Sequence, residues 1–187
     1  MASSGSREIE IKLRIPDPGT IETVLTSAGF HVTQPRVFES NVLYDDPNGR
    51  LRSQGCALRI RQAGDRTVLT FKGPAENSKH KSREELETVA GDPAMLAAIF
   101  HRLGFVSHFR YDKYRTEFGR PGEQGVVTLD ETPIGWFLEL EGSPDWIDGT
   151  ARELGFAEVN YLTDSYTGLY RKHCLNAGID SSMMVFE

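Results

Sequence analysis

The sequence has few of the features that mark secreted or membrane proteins. Only two cysteines, Cys56 and Cys174, occur in 187 residues, and their spacing fits neither a metal site nor a disulfide framework. No apolar run approaches the length that spans a bilayer, and no hydrophobic signal segment opens the chain. We therefore expect a cytoplasmic protein with no membrane association.

The sequence also contains fewer basic than acidic residues. The net charge is -6, with 21 Lys and Arg against 27 Asp and Glu, which argues against bulk electrostatic binding of nucleic acid or anionic membrane. The sequence has no glycine-rich phosphate loop of the Gly-x-x-x-x-Gly-Lys-[Ser/Thr] type. The five histidines are scattered without metal-ligand spacing. This composition still allows a pocket in which basic residues are concentrated locally.

The length predicts a single domain. A chain of 187 residues with 39% hydrophobic residues can bury a substantial core. We predict a small polar leader at 1–6, one domain at 7–175, and a C-terminal tail at 176–187 that has no clear pattern.

Three segments share the same helix pattern. Each has a capping residue, a proline at the first helical position, apolar residues at helical spacing and a glycine just past the end. They begin at Asp17-Pro18, Asp92-Pro93 and Ser143-Pro144. A fourth helix is predicted from Thr163 to about His173.

Strands are predicted between the helices. The candidates are 7–15, 36–45, 56–62, 66–72, 82–90, 107–118, 125–131 and 136–141. A strand-rich chain with interspersed helices indicates an α+β fold on a mostly antiparallel sheet. The polar stretch 73–82 is a candidate mobile flap.

Charged residues follow one face of nearly every predicted strand. The first strand carries Glu8, Glu10 and Lys12 on one face and isoleucines and a leucine on the other. The acids recur as Glu-x-Glu pairs at 8/10, 85/87 and 139/141, and Arg-x-Arg or Lys-x-Arg pairs occur at 59/61 and 113/115. Enclosed acid pairs become favourable around a divalent cation, and paired bases suit a polyanion. These faces therefore indicate a shared cavity for metal and polyphosphate, although solvent-exposed charged strands are the ordinary alternative.

These residues resemble the CYTH superfamily, the triphosphate tunnel metalloenzymes. Glu8-x-Glu10-x-Lys12 looks like the ExExK signature of that family. The likeness covers roughly residues 7 to 172 and continues in order through Asn41, Tyr44-Asp45, Ala57-Leu58-Arg59-Ile60-Arg61, Leu69-Thr70-Phe71-Lys72-Gly73-Pro74, Arg83-Glu84-Glu85-Leu86-Glu87, Lys113-Tyr114-Arg115, Leu129-Asp130, Gly135-Trp136-Phe137-Leu138-Glu139-Leu140-Glu141 and Ser165-Tyr166.

The resemblance implies a closed eight-stranded antiparallel β-barrel with a charged interior and helices packed outside. By this likeness, the residues that would hold Mg²⁺ or Mn²⁺ are Glu8, Glu10, Glu139 and Glu141, with Asp130 as a further ligand. The residues that would bind the triphosphate are Lys12, Arg59, Arg61, Lys72, Arg83, Lys113 and Arg115. Glu85 and Glu87 would line the tunnel, and Lys113 with Tyr44 would orient water. Glu39 departs from the glutamine expected in the second strand.

The resemblance leaves three functions open. The first is metal-dependent hydrolysis of a small-molecule triphosphate such as tripolyphosphate, thiamine triphosphate or ATP. The second is conversion of ATP to cyclic AMP and pyrophosphate, as in class IV adenylyl cyclases. The third is a non-catalytic sensor of triphosphate or nucleotide. The natural substrate and the oligomeric state, including a homodimer, are also open.

Overall fold

The computed structural model describes residues 6–76, 78–179 and 183–187. The eight main strands are β1 (Ser6–Ile15), β2 (His31–Asp45), β3 (Ala57–Ala63), β4 (Arg66–Lys72), β5 (Lys81–Ala90), β6 (Val106–Gly119), β7 (Val126–Thr132) and β8 (Gly135–Glu141). The helices are α1 (Pro18–Ser27), α2 (Arg50–Ser53), α3 (Pro93–Arg102), α4 (Pro144–Glu153) and α5 (Tyr166–Ala177), with a 3-10 turn at Glu158–Asn160. A short strand, β9 (Met183–Met184), follows them.

The eight main strands close into an antiparallel barrel. Their order is β2-β3-β4-β5-β1-β8-β7-β6, and β6 pairs back with β2 along most of its length. The short β9 adds to β6 in parallel, beside Arg110 and Tyr111. The barrel and its outer helices confirm the predicted fold.

The hydrophobic core lies outside the barrel wall. In β1, the side chains of Ile11 and Leu13 are fully buried, and they pack in one cluster with α1 and α4, including Leu25 and Ile147. Because side chains alternate along a strand, the charged residues between these apolar positions face the barrel interior. The usual small barrel fills its interior with apolar side chains, so this chain inverts that arrangement.

The helix starts follow the predicted capping chemistry. The side chains of Asp17, Asp92 and Ser143 each accept a hydrogen bond from the first turn, and each helix has proline at its start. The predicted start of the fourth helix at Thr163 was wrong, because Ser165 is the residue that caps α5 by accepting from the Gly168 N–H.

The structure differs from the sequence-based expectations at three further places. β2 begins at His31 instead of residue 36, and its pairing with β6 shifts register on either side of Gln34. Such a bulge accommodates Pro35, which lacks an N–H to donate. α2 and β9 were not expected.

No helix in the described ranges combines the length and apolar character needed to cross a bilayer.

Part of the predicted C-terminal tail belongs to the barrel wall. Met184 is fully buried, and the ring of Phe186 packs 5.3 Å from that of Tyr114. Residues 180–182 and the predicted leader up to Gly5 lie outside the described residues, whereas Ser6 opens β1. The predicted flap at 73–82 ends earlier than expected because β5 already begins at Lys81.

Candidate active site

The barrel encloses a cavity of about 550 Å³ whose wall is charged. Thirteen of the fifteen residues assigned to the site by the sequence line it: Glu8, Glu10, Lys12, Arg59, Arg61, Lys72, Arg83, Glu85, Glu87, Lys113, Arg115, Glu139 and Glu141. They come from six strands, and the closed antiparallel pairing brings them onto one inner surface. The two exceptions are Asp130 and Tyr44.

Asp130 lies behind the cavity wall. Its side chain is fully buried and accepts hydrogen bonds from Lys113 at 2.8 Å, from Arg115 at 2.6 and 2.7 Å, and from the Tyr166 hydroxyl at 2.7 Å. All these contacts hold the two cations in place. The geometry therefore makes Asp130 their counter-ion, and we leave it out of the proposed metal ligands.

Tyr44 points to the outside of the barrel. Its ring packs edge-on against Phe100 of α3 with the centroids 5.2 Å apart, whereas the adjacent Leu43 lines the cavity. Burial against the helix raises the pKa of the Tyr44 hydroxyl. The structure thus separates Tyr44 from Lys113 by the barrel wall, and the predicted water-orienting pair is not assembled.

The acids of β1 are held by four cations. Glu8 accepts from Lys72 at 2.6 Å and Arg83 at 2.9 Å, while Glu10 accepts from Lys12 at 3.0 Å and Lys81 at 2.7 Å. Burial alone would raise the pKa of Glu10, but attraction to its two lysines outweighs burial and lowers that pKa. Both glutamates are therefore ionised inside the barrel at neutral pH.

Glu139 and Glu141 complete the acidic region on β8. Glu139 is paired with Lys12 at 3.2 Å and with Arg115. Within the described part of the chain, Glu141 makes no ion pair. Partial desolvation in the cavity, together with the charges of Glu8, Glu10 and Glu139, raises the pKa of Glu141 to about 7. Glu141 is thus the glutamate of this region that no cation of the described residues pairs with.

The acidic region has the donor chemistry of a hard divalent cation. Its four glutamates supply the carboxylate oxygens that Mg²⁺ and Mn²⁺ prefer. As the side chains stand, no three Asp, Glu, His or Cys residues of the described ranges converge closely enough to hold a metal, since Glu8 and Glu10 turn toward lysine and arginine. The charges of Glu8, Glu10 and Glu139 beside Glu141, which makes no ion pair among the described residues, favour an added cation, so the residues fit a metal by charge and ligand type.

Arg59 is a buried cation of the cavity, and no carboxylate of the described residues lies within ion-pair distance of it. It is 7% exposed, and it donates to the Tyr111 hydroxyl at 3.2 Å and to the Thr70 hydroxyl at 3.1 Å. Its Nε is buried with no hydrogen-bond partner among the described residues. A buried guanidinium held only by neutral groups is free to bind an anion bidentately.

The positive charge around Tyr111 extends beyond Arg59. Burial would raise the pKa of the Tyr111 hydroxyl, yet Arg59, Arg61 and Lys113 together lower that pKa. Glu39 offsets part of this charge, with its carboxylate 3.4 Å from Arg61 and 3.5 Å from Lys113. The same cations hold the pKa of Glu39 at about 2 against the effect of burial. Glu39 therefore only partly offsets the three cations around Tyr111.

Four positions around the cavity are outside the set of site residues that the sequence predicts: Lys81, Tyr111, Tyr166 and Glu39. Lys81 falls in the predicted flap, and Glu39 is noted there only as a departure from the expected glutamine. Two of these had a usable signal, because Lys81 continues the alternation of Arg83 and Glu85, and Tyr111 lies two residues before Lys113 on the same strand face.

The fold is shared with proteins of known structure. A candidate adenylate cyclase from Vibrio parahaemolyticus superposes with a TM-score of 0.77, at 20% identity, covering 92% of this chain and 99% of that one. A Hippeastrum protein superposes with a TM-score of 0.62 at 23% identity, over 93% of this chain and 97% of its own; it is described as a candidate adenylyl cyclase with a dominant triphosphatase activity.

A sequence relative and a family model identify the family to which the chain belongs. A candidate adenylate cyclase from Methanocaldococcus jannaschii is 30% identical over 136 residues, which are 73% of this chain and 77% of the relative. The model of the CYTH domain matches residues 6–166. The chain therefore belongs to the CYTH family, whose members are metal-dependent enzymes that act on triphosphates.

Proposed function

We propose that the protein is a divalent-metal-dependent phosphohydrolase of an inorganic or organic triphosphate bound inside the barrel. The observation that carries this proposal is Arg59, a buried guanidinium with no ion-paired carboxylate in the described part of the chain, which faces a cavity lined by other cations and by glutamates. A buried unpaired charge is costly, and an anionic ligand in the cavity offsets that cost.

The substrate's phosphates lie along the basic residues in this proposal. Arg59 and Arg61 grip phosphate oxygens through their guanidinium groups. Lys113 and Arg115 contact the transferring phosphoryl group, and the Asp130 carboxylate with the Tyr166 hydroxyl keeps both cations in place. Cations fixed before the reaction stabilise the charge that spreads over the phosphoryl oxygens.

The glutamates hold the metal in this proposal. Glu8, Glu10, Glu139 and Glu141 would bind Mg²⁺ or Mn²⁺, which would neutralise phosphate oxygens and position the attacking water. Lys72, Arg83 and Lys81, which now pair with Glu8 and Glu10, would then turn toward the bound phosphates.

Adenylyl cyclisation is the second candidate. The Methanocaldococcus jannaschii relative is described as a candidate adenylate cyclase, and the same cavity serves both reactions. The Hippeastrum protein, with its dominant triphosphatase activity, supports hydrolysis as the first candidate. The position of the ribose relative to the α-phosphate decides between the two reactions.

Product identity tests the proposal. The purified chain is incubated with tripolyphosphate, thiamine triphosphate or ATP in the presence of Mg²⁺ or Mn²⁺, and products are resolved by anion-exchange chromatography and phosphorus NMR. We expect phosphate from at least one triphosphate and ADP with phosphate from any ATP turned over. Cyclic AMP with pyrophosphate would establish the cyclase instead, and metal-dependent binding without turnover would establish a sensor.

A further inference from the structure

The backbone pairing between β1 and β5 ends beside the cavity. Its last residue pair joins Glu10 to Lys81. Beyond that pair the edge of β1 is covered by Leu162, whose backbone exchanges two hydrogen bonds with that of Lys12. The side chains of both lysines donate to the Glu10 carboxylate. Because the end of a strand is where local opening costs least, the position of Lys81 depends on what holds the chain that precedes it.

The chain immediately before Lys81 is anchored outside the barrel. The His80 side chain is buried, and its Nε2 lies 2.8 Å from the Asp148 carboxylate on α4. Lys79 donates to the same carboxylate at 3.0 Å. The Lys81 Nζ, in contrast, donates to Glu10 within the cavity at 2.7 Å. Consecutive residues are therefore held on opposite sides of the barrel wall.

Asp148 also anchors the segment that pairs with Lys12. The Tyr161 hydroxyl donates to Asp148 at 3.2 Å, and Tyr161 directly precedes Leu162 in the chain. One carboxylate on α4 thus holds the two segments that place both lysine partners of Glu10.

The Asp148 carboxylate is a charged acceptor on a well-packed helix. Partial burial would raise the pKa of Asp148, but the hydrogen bonds that it accepts, from His80 first of all, lower that pKa. The neighbouring Ile147 and Ala151 of α4 are fully buried in the core cluster. The hydrophobic core therefore fixes the helix that carries this anchor.

We propose that His80 is a positioning residue, which holds Lys81 beside Glu10 through its own contact with Asp148. This inference rests on the proposed function, in which Glu10 binds the metal and Lys81 turns toward the bound phosphates. His80 is not among the residues that line the cavity, so it acts only through its neighbour. A shift of about 1 Å in a catalytic group can cost about 100-fold in rate, so loss of the anchor should be measurable.

A double-mutant cycle separates positioning from plain stabilisation. Values of kcat/KM for Mg²⁺-dependent hydrolysis of tripolyphosphate are measured for the intact chain, His80→Ala, Lys81→Met and the double variant. We expect His80→Ala to lower kcat/KM about tenfold in the intact background, and less than about twofold once Lys81→Met is present. Losses that multiply in the double variant, or no loss in His80→Ala, would overturn the positioning role.

His80→Gln and His101→Ala are the matched variants. The glutamine amide nitrogen can take the place of the His80 Nε2 and donate to Asp148, so His80→Gln should restore most of kcat/KM. His101 is an exposed histidine on α3, outside the cavity lining, and His101→Ala should leave kcat/KM unchanged. A glutamine variant as impaired as His80→Ala, or an equal loss in His101→Ala, would also overturn the positioning role.

Amide hydrogen exchange tests the contact without turnover. In EDTA and without substrate, His80→Ala should speed exchange in the first residues of β5 and leave β7 unchanged. Asp148→Ala should speed exchange there and also at Leu162, whose N–H donates to the Lys12 carbonyl. Unchanged exchange in β5 would overturn the anchor itself.

The two measurements distinguish failure of the positioning role from failure of the proposed function. An intact chain that hydrolyses no triphosphate, with β5 exchange that still responds to His80→Ala, would overturn the proposed function and support the anchor. Hydrolysis that His80→Ala leaves unchanged would overturn the positioning role alone.

Discussion

At the scale of the residue, the cavity is organised by which charges are paired. Glu8 and Glu10 each contact two cations, so their negative charge is matched locally. Arg59 and Glu141 are the exceptions, one a cation held by hydroxyl groups and the other an acid without an ion pair in the described ranges. A metal-bound polyphosphate would pair with both residues, its phosphate oxygens with Arg59 and its metal ion with Glu141.

The first residue-scale prediction concerns Arg59. Arg59→Met should weaken tripolyphosphate binding about 10- to 100-fold, since a charge-assisted contact to a phosphate is lost. The melting temperature should not fall, because the substitution removes a buried charge that has no carboxylate partner. Calorimetric titration and thermal unfolding measure the two effects. A variant that keeps full affinity would show that Arg59 is not a phosphate ligand.

The second residue-scale prediction concerns Glu141 and pH. The pKa of this carboxyl is about 7 in the folded chain against an ordinary value of 4.5, so the folded state binds more protons between these values and stability falls as pH rises through them. Glu141→Gln should therefore stabilise the chain at about pH 8 in EDTA, by about 1 kcal/mol after allowance for solvent screening. It should have little effect below about pH 4.5. Denaturant unfolding at both pH values measures this, and a variant that is less stable at the higher pH would contradict the assignment.

At the scale of the element, alternation predicted the strands and capping residues predicted the long helices, whereas the very short segments could not be predicted. All eight barrel strands were predicted, most of them because an apolar face alternates with a polar or charged face along the segment. α2 and β9 have four and two residues, too few for either period to appear. β9 pairs with β6 at Arg110 and Tyr111, on the edge that β7 leaves open because it pairs with β6 only from Tyr114 onward, and this is information from the tertiary structure alone.

The C-terminal segment gives an element-scale prediction. Met184 is fully buried against Phe109, Phe137 and the helix α5. Met184→Ala should lower the free energy of unfolding by about 2 to 5 kcal/mol, through lost burial and the cavity that remains. Met95→Ala, at a position 59% exposed on α3, is the control and should change stability by less than about 0.5 kcal/mol. Urea denaturation compares them, and equal effects would mean that β9 does not pack on the barrel as described.

At the scale of the whole molecule, the charged faces predicted the site better than any single motif. Thirteen of the assigned residues line one cavity because the strand period alone fixes which side chains share a face. Asp130 could not be placed from the sequence, because it is on the inner face but covered by Lys113 and Arg115. Tyr44 could have been, since it pairs in unbroken register with Leu58 and alternation from the cavity-lining Leu43 puts it on the outer face.

The residues that form the apolar core of the barrel are therefore different from those that line the candidate site. That core lies between the wall and the helices α1 and α4, and the barrel interior is left for charged side chains. Substitution of an inner glutamate should alter ligand binding and turnover and leave the packing of this apolar core in place.

Metal-dependent phosphate release from tripolyphosphate tests this account most directly. The intact chain should release phosphate with Mg²⁺ or Mn²⁺ and lose that activity in EDTA. Glu8→Ala and Glu10→Ala should abolish it, while Glu22→Ala, an exposed glutamate on α1, should not. Unchanged turnover in the Glu8 and Glu10 variants would contradict the assignment of the barrel interior as the metal and triphosphate site.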